Sequence, residues 1–236
     1  MFNIELAGVV ITVHNRYPAV EKLCGEYITQ GTASPVFTVE VSDEQIDREQ
    51  SAGGFSKGYC ESVCIYREIV KKIPKYGAFF LHASVVEVDG VSYAFMAKSG
   101  TGKSTHTSLW LKAFGERARI INGDKPLLRF VDGQLYVYGT PWCGKEGYQI
   151  NTSSPLKALC FLQRGEKNSI RRLNDNEIVN RLFHQVIMPE SASDMEDFLK
   201  LLDRTVKEVP MWLLTCTISD EAVVTAYEAM SKETQK

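Results

Sequence analysis

The sequence predicts an α/β protein built on a mixed sheet, preceded by a small αβ extension. Three observations lead there. Apolar runs rich in β-branched and aromatic residues alternate with segments of helical period along the chain. Two of those runs are broken by Asp-Gly pairs, Asp89–Gly90 and Asp132–Gly133, which favour tight antiparallel hairpins. Between the two hairpins a glycine-rich loop separates a strand from a helix, a connection typical of parallel βα units. Hairpins flanking a βα loop imply a sheet with both kinds of pairing.

The elements follow in order. MFNIELAGVVITVH reads as an opening strand, and Pro18 suits the first position of a short helix over AVEKLC. PVFTVEV (35–41) is a strand, and Ser42 and Gln45 have capping-box spacing for the helix after it. SAGGFSKG (51–58) is the most loop-like stretch of the first third. An amphipathic helix follows, with Ile65, Ile69, Val70 and Ile73 on one face and a stop before Pro74. AFFLHASVVEV and VSYAFMA form the first hairpin, the loop leads to a helix from about Lys103 to Phe114, and ARIIN is a short strand. LLRFVDGQLYVYG is the second hairpin, GTPWCGKEGY a loop and LKALCFLQRG a strand. The last third reads strand, helix, helix, strand, helix, with capping signals at Asn174–Glu177 and Ser193–Glu196. These divisions suggest an N-terminal αβ extension over residues 1–75, packed on a main domain over 76–236.

Bulk composition narrows the function classes. A chain of 236 residues with 44% hydrophobic and 24% charged residues can bury a proper core. A net charge of −2 argues against a nucleic-acid backbone or an anionic membrane as partner, since both select basic surfaces. The longest apolar runs are too short to span a bilayer, and the N-terminus lacks the features of a secretory signal. Six scattered cysteines show no familiar metal-ligand spacing and are expected as reduced thiols in a cytoplasmic protein.

The stretch with chemistry in it is AKSGTGKST, Ala97–Thr105. Its spacing is that of a phosphate-binding P-loop, G-x-x-x-x-G-K-[ST], with Ala97 in place of the first glycine. Gly100 and Gly102 let backbone amides turn toward phosphate oxygens, and the following helix adds its positive end. Ser99, Thr101 and Thr105 complete the cofactor-binding set around Lys103, whose ammonium suits the β/γ-phosphates of ATP. The Ser104 hydroxyl suits Mg²⁺. Phosphoryl transfer also needs a carboxylate near the metal, and Asp124, at the end of IINGD, is the candidate for metal binding. His106, just inside the helix, reads as a packing or capping residue. Trp142 and Lys145 in GTPWCGKEG offer a flat apolar face and a cation to a substrate. Arg164, Arg171 and Arg172 read as a solvated basic face.

LHASVV, AKSGTGKST and IINGD, in that order and at these separations, resemble the catalytic domain of HPr kinase/phosphorylase, of the phosphoenolpyruvate carboxykinase-like kinase fold. The likeness covers roughly residues 79–164. His82 matches the family's histidine ahead of the P-loop, and Gly123–Asp124 stands where the family carries two aspartates. GTPWCGKEG is similar to a loop of stand-alone HPr-kinase-like proteins. The first seventy-five residues do not match the family's regulatory domain, and its E-x-R-G-x-G type signature is missing. The resemblance therefore implies a stand-alone HPr-kinase-related enzyme rather than HPr kinase itself. It implies an ATP- and Mg²⁺-dependent phosphotransferase acting on a hydroxyl of a peptide serine, free serine or a small-molecule alcohol. Lys103, Asp124 and His82 would be catalytic, with either Asp124 or His82 as proton acceptor. Such relatives leave a homo-oligomer open. A non-catalytic nucleotide-binding module and a simple nucleoside triphosphatase are the alternatives.

Overall fold

A computed structural model describes residues 1–98 and 100–232. Strands β1 (Phe2–Leu6) and β2 (Val9–His14) form an antiparallel hairpin, so the expected opening strand is two strands. They turn at Ala7 and Gly8, both with positive φ (50° and 71°), which is how tight turns match strand twist. Ala-Gly is a weaker turn signal than Asn-Gly, which is why the break is hard to read from sequence. Helix α1 (Pro18–Cys24) starts with Pro18 and carries the chain toward β3 (Phe37–Glu40), parallel to β2.

Helix α2 (Asp43–Gly53) opens with both bonds of the expected capping box, between Ser42 and Gln45. It ends at Gly54 in the left-handed conformation, and α3 (Lys57–Lys72) begins at once with Ser56 as its cap. The loop expected over 51–58 is therefore a three-residue joint. Helix α3 runs on through Pro74 as a 3₁₀ turn, Ile73–Tyr76.

The large sheet is mixed, as expected. Its strands are β4 (Ala78–Phe80), β5 (Ser84–Val88), β6 (Val91–Met96), β7 (Ala118–Asn122), β8 (Leu127–Val131), β9 (Gln134–Tyr138), β10 (Ser153–Arg164), β11 (Ser169–Arg172) and β12 (Met211–Cys216). They run in the order β4-β8-β9-β10-β6-β5-β7, with β12 and then β11 beside β10. The first three residues of β10 pair antiparallel with β9, and it then lies parallel to β6 from Leu156 and to β12 from Leu159. One long strand thus joins an antiparallel and a parallel region.

The run AFFLHASVVEV does not form one strand. It splits into β4, on β8, and β5, between β6 and β7. In the gap, Leu81 donates its N–H to the Pro126 carbonyl and His82 to the Gln185 carbonyl. The chain crosses the sheet at His82, a position set by partners far away in sequence.

Alternation along β6 and β10 separates two cores. Ala94, Met96, Leu159 and Phe161 face α5 (Asp175–Leu182) and α6 (Ala192–Glu208). Tyr93, Phe95, Ala158 and Cys160 face α4 (Lys103–Phe114) and α7 (Asp220–Lys232), around the buried Trp110. A third cluster joins the small sheet and α3 to Ala78, Phe80, Leu127 and Trp142 of the main body. The cap of α6 is Ser191 rather than the expected Ser193, because its hydroxyl is the one that accepts from the Asp194 N–H. All six cysteines are free thiols, and no helix among the described residues is long and apolar enough to cross a membrane.

Glu61, wholly buried in α3, accepts from the backbone N–H groups of Arg16 (2.6 Å) and Tyr17 (2.9 Å), at the turn into α1. Replacing it with Ala strands both donors, so Glu61→Ala is expected to cost about 3 kcal/mol in urea unfolding. Glu61→Gln, which keeps one acceptor, is expected to cost about half that.

Candidate functional site

Buried strand β6 delivers the chain to the glycine-rich loop. Ser99, one of the expected loop residues, lies outside the described residues. Gly100 and Gly102 have φ of +76° and +119°, and a Cβ at either would meet nothing within 4 Å. Glycine is needed there for backbone conformation and not for space. The Thr101 N–H donates to the Lys98 carbonyl (3.1 Å). From the end of β10, Arg164 donates to the carbonyls of Gly100 (2.6 Å) and Thr101 (3.2 Å). Because the carbonyl and N–H of a trans peptide point apart, this turns the Gly102 N–H away from Arg164.

Helix α4 begins at Lys103 with Gly102 as its N-cap and no side chain capping it. Helices α2, α3, α5 and α6 are all capped, by Ser42, Ser56, Asn174 and Ser191. The first-turn amides at 103–105 have no acceptor within the helix, so this end carries free donors and the positive pole of the dipole. The Ser104 hydroxyl has no hydrogen-bond partner among the described residues, and Thr105 is exposed. Thr107 fastens the turn, its Oγ1 lying 3.1 Å from Ser84 Oγ and donating to the Lys103 and Ser104 carbonyls.

From the loop a chain of polar side chains leads inward. Lys103 Nζ lies 3.0 Å from His82 Nε2, which lies 3.1 Å from Asp124 Oδ1. Asp124 Oδ2 accepts from Lys125 Nζ at 2.6 Å. Burial alone would raise the Asp124 pKa, but the hydrogen bonds from His82 and Lys125 and the charge of Lys125 outweigh it. The carboxyl is held well below its usual range. Burial pushes the Lys103 ammonium down, and the charge of Asp124 opposes it. His82 Nε2 cannot serve both neighbours at once. It either accepts from Lys103 or donates to Asp124, and an ionised carboxylate favours donation. The Lys103 ammonium then keeps only a long hydrogen bond to the Ala97 carbonyl, at 3.5 Å.

Asp124 owes its position to a buried amide that the sequence reading missed. Asn122 Oδ1 accepts from the backbone N–H of Asp124 (2.9 Å) and Lys125 (2.7 Å). Its Nδ2 donates to the carbonyls of Thr140 and Trp142. Asn two residues ahead of Asp is an Asx-turn signal, the one cue available in the sequence. The Lys125 carbonyl accepts from Tyr66 Oη and Thr140 Oγ1, both at 2.7 Å.

Gly123 has a steric reason. A Cβ there would lie 2.7 Å from the Cys143 carbonyl oxygen, so the 139–147 loop leaves no room for an aspartate. Gly144 of that loop lies close over the Asp124 side chain, where a Cβ would come within 3.1 Å. Trp142 is buried, stacked on Tyr66 with centroids 4.5 Å apart and donating Nε1–H to the Ser62 carbonyl (3.0 Å). One of the faces expected to be open to substrate is thus taken by Tyr66. Lys145 is exposed on the same loop. His106 is buried against Phe95 and accepts from Trp110 Nε1 (3.0 Å). Burial lowers its pKa from 6.5 to about 4. Arg171 pairs with Glu177 at the surface.

Three clefts adjoin the site. One, of about 670 Å³, runs from Ala97, Lys98 and Gly100 to Arg181 and Gln185. A second, of about 390 Å³, runs from Thr101, Gly102 and Thr105 past Leu109 and Leu162 to Ile218. The third, of about 440 Å³, has Asp124 and Lys125 among its walls, with α3 on one side and the 139–147 loop on the other.

No known protein family and no curated protein matches this sequence. Among solved structures, the Hpr(Ser) kinase/phosphatase from Coxiella burnetii aligns over 65% of this chain and 97% of its own, with 12% identity and a TM-score of 0.38. At that TM-score the two chains overlap too loosely for the likeness to bear on function.

Gly123→Asp and Gly123→Ala are both expected to lose about 1–3 kcal/mol in denaturant unfolding, because either side chain must displace the Cys143 carbonyl. Neutral His106 gives a pH signature. Its folded pKa lies below its unfolded value, so the unfolded chain binds the extra proton between about pH 6.5 and 4. Stability should fall by up to about 3 kcal/mol over that window as pH drops, and His106→Gln should flatten the slope in unfolding measured pH by pH.

Proposed function

We propose that the chain is a kinase, moving the γ-phosphoryl group of ATP to a hydroxyl acceptor. One observation carries the reading: Asp124 is linked through His82 to Lys103 at the glycine-rich loop and also forms part of the wall of a separate cleft. A transferase needs that arrangement, with donor and acceptor approaching one carboxylate from different sides.

In this reading the amides at 102–105 and the Lys103 ammonium hold the β- and γ-phosphates. The cleft past Leu109 and Leu162 offers apolar walls to the base. The donor set also fits Mg²⁺, which takes one or two protein oxygens and completes its shell with phosphate and water. Asp124, kept ionised, and the unpartnered Ser104 hydroxyl would hold it. When bound, the ion neutralises charge that develops on the phosphoryl oxygens. The acceptor hydroxyl donates to Asp124, which orients its oxygen toward the γ-phosphorus. The new O–P bond forms as the bond to the β,γ-bridging oxygen breaks, ADP leaves with that electron pair, and the hydroxyl proton passes to Asp124 and on to solvent. Little basicity is needed, because a loose transition state asks mainly for positioning and charge stabilisation. His82 holds Asp124 in place and stands between it and Lys103.

A second reading, a nucleotide-occupied module without turnover, draws support from Gly123, since the turn has room for only one carboxylate. Calorimetry with ATP and Mg²⁺, followed by transfer assays, separates the two. Lys103→Ala is expected to weaken ATP binding at least about tenfold, a loss of about 1.4 kcal/mol. Asp124→Asn is expected to keep ATP binding and cut transfer about 10²–10³-fold. Binding without turnover, unchanged by Asp124→Asn, would support the module.

A further inference from the structure

The largest of the three clefts is the one that the kinase reading leaves unused. It opens beside the glycine-rich loop, between the end of β10 and the 3₁₀ turn Phe183–Gln185 that follows α5. Lys98, Arg164, Arg181 and His184 line it, and no carboxylate among the described residues does. Arg164 is spent on the Gly100 and Thr101 carbonyls. Arg181 is not. Its guanidinium, partly buried, lies over the Phe161 ring at 6.0 Å from the centroid, a stacking that orients the fork. It forms no ion pair among the described residues, and Glu177, one turn earlier on α5, gives both carboxylate oxygens to Arg171. Cations spread over a surface are ordinarily a solvated face, but a stacked guanidinium in a cleft free of acids is a place for an anion.

Gln185 adds an independent sign of a ligand. It lines the cleft at 6% exposure, yet its Oε1 is buried without a hydrogen-bond partner. Turning the amide end for end puts an equally unmet nitrogen in the same place. The residue cannot easily move away, because its backbone carbonyl accepts the His82 N–H at 2.7 Å. Buried polar groups left unmet are costly and few, so one held in the wall of a cleft asks for a polar group from outside.

We infer that this cleft binds a 2-hydroxy acid, with its carboxylate on the Arg181 fork and Lys98 and its hydroxyl on the Gln185 amide. A carboxylate suits it better than a phosphate. Of the loop's amides, that of Thr101 donates to the Lys98 carbonyl and that of Gly102 points away from Arg164, so neither is offered to a third phosphoryl oxygen. A planar carboxylate needs only the two parallel bonds of one guanidinium. A hydroxyl suits it better than an ammonium, because it answers either end of the amide without adding a cation to a cleft that already holds several. Ala97 and Leu162, both buried, give the carbon chain an apolar floor, and the volume lies within the range of ligand pockets. None of this depends on the use of ATP.

The test is calorimetry on the full chain with 2-hydroxy-4-methylpentanoate, set against 4-methylpentanoate, leucine and inorganic phosphate. The hydroxy acid is expected to bind at least about tenfold more tightly than either of the other two organic acids. Arg181→Gln should weaken it at least about tenfold while ATP affinity stays within about twofold of the wild type. Gln185→Leu should erase its advantage over 4-methylpentanoate and leave the affinity for 4-methylpentanoate itself unchanged, a result that general loss of structure would not give. Lys103→Ala should leave its binding unchanged, which separates this cleft from the nucleotide site. No binding of the hydroxy acid, equal affinity for the three organic acids, affinity that survives Arg181→Gln, or tighter binding of phosphate that Arg181→Gln weakens would overturn the inference. The comparison of ligands in the wild type decides the matter even where a variant folds poorly.

Discussion

A carboxylate taken out of water has to be matched by positive charge or give up its own, and much of this site follows from how Asp124 is matched. His82 supports one oxygen and Lys125 the other, so the group stays ionised despite burial. The match fixes more than a charge. It commits His82 Nε2 to donate, which leaves the Lys103 ammonium without a full partner at the mouth of an uncapped helix. A cation and free amides gathered at one point give this spot a positive potential, set by the geometry that keeps the carboxylate charged.

The fold delivers these groups from three separate crossings of the sheet. His82 comes from the break between β4 and β5, Lys103 from the turn after β6, and Asp124 from the end of β7. Strand β10 ties the regions together by changing partners along its length, and its last residue, Arg164, reaches back to the carbonyls of the glycine-rich loop. The loop's shape is thus anchored to the sheet and not left to its own sequence.

What could be read from sequence was what neighbouring residues decide. The Asp-Gly hairpins, the boxes at Ser42 and Asn174, the start of α4 at Lys103 and the demand for glycine at 100 and 102 are local, and the sequence carried them. What was missed depends on distant partners. The break at Leu81–Ala83 is set by carbonyls of Pro126 and Gln185, and the cap at Ser191 by which hydroxyl reaches Asp194. Asn122 and Arg164 are ordinary polar residues in the sequence, and only the backbone groups they find give them a role. The same holds for Trp142, whose stacking on Tyr66 depends on a helix some eighty residues earlier.

The 139–147 loop has one more implication, for how such a protein can change over time. Its carbonyl at Cys143 roofs Gly123, its Gly144 rests on Asp124, and its Trp142 closes one side of the neighbouring cleft. Remodelling that segment for a new ligand would shift the carboxylate along with the wall. Leu23, Phe55 and Tyr59, which line the same cleft from a distant part of the chain's sequence, can vary without disturbing the turn that holds the charge.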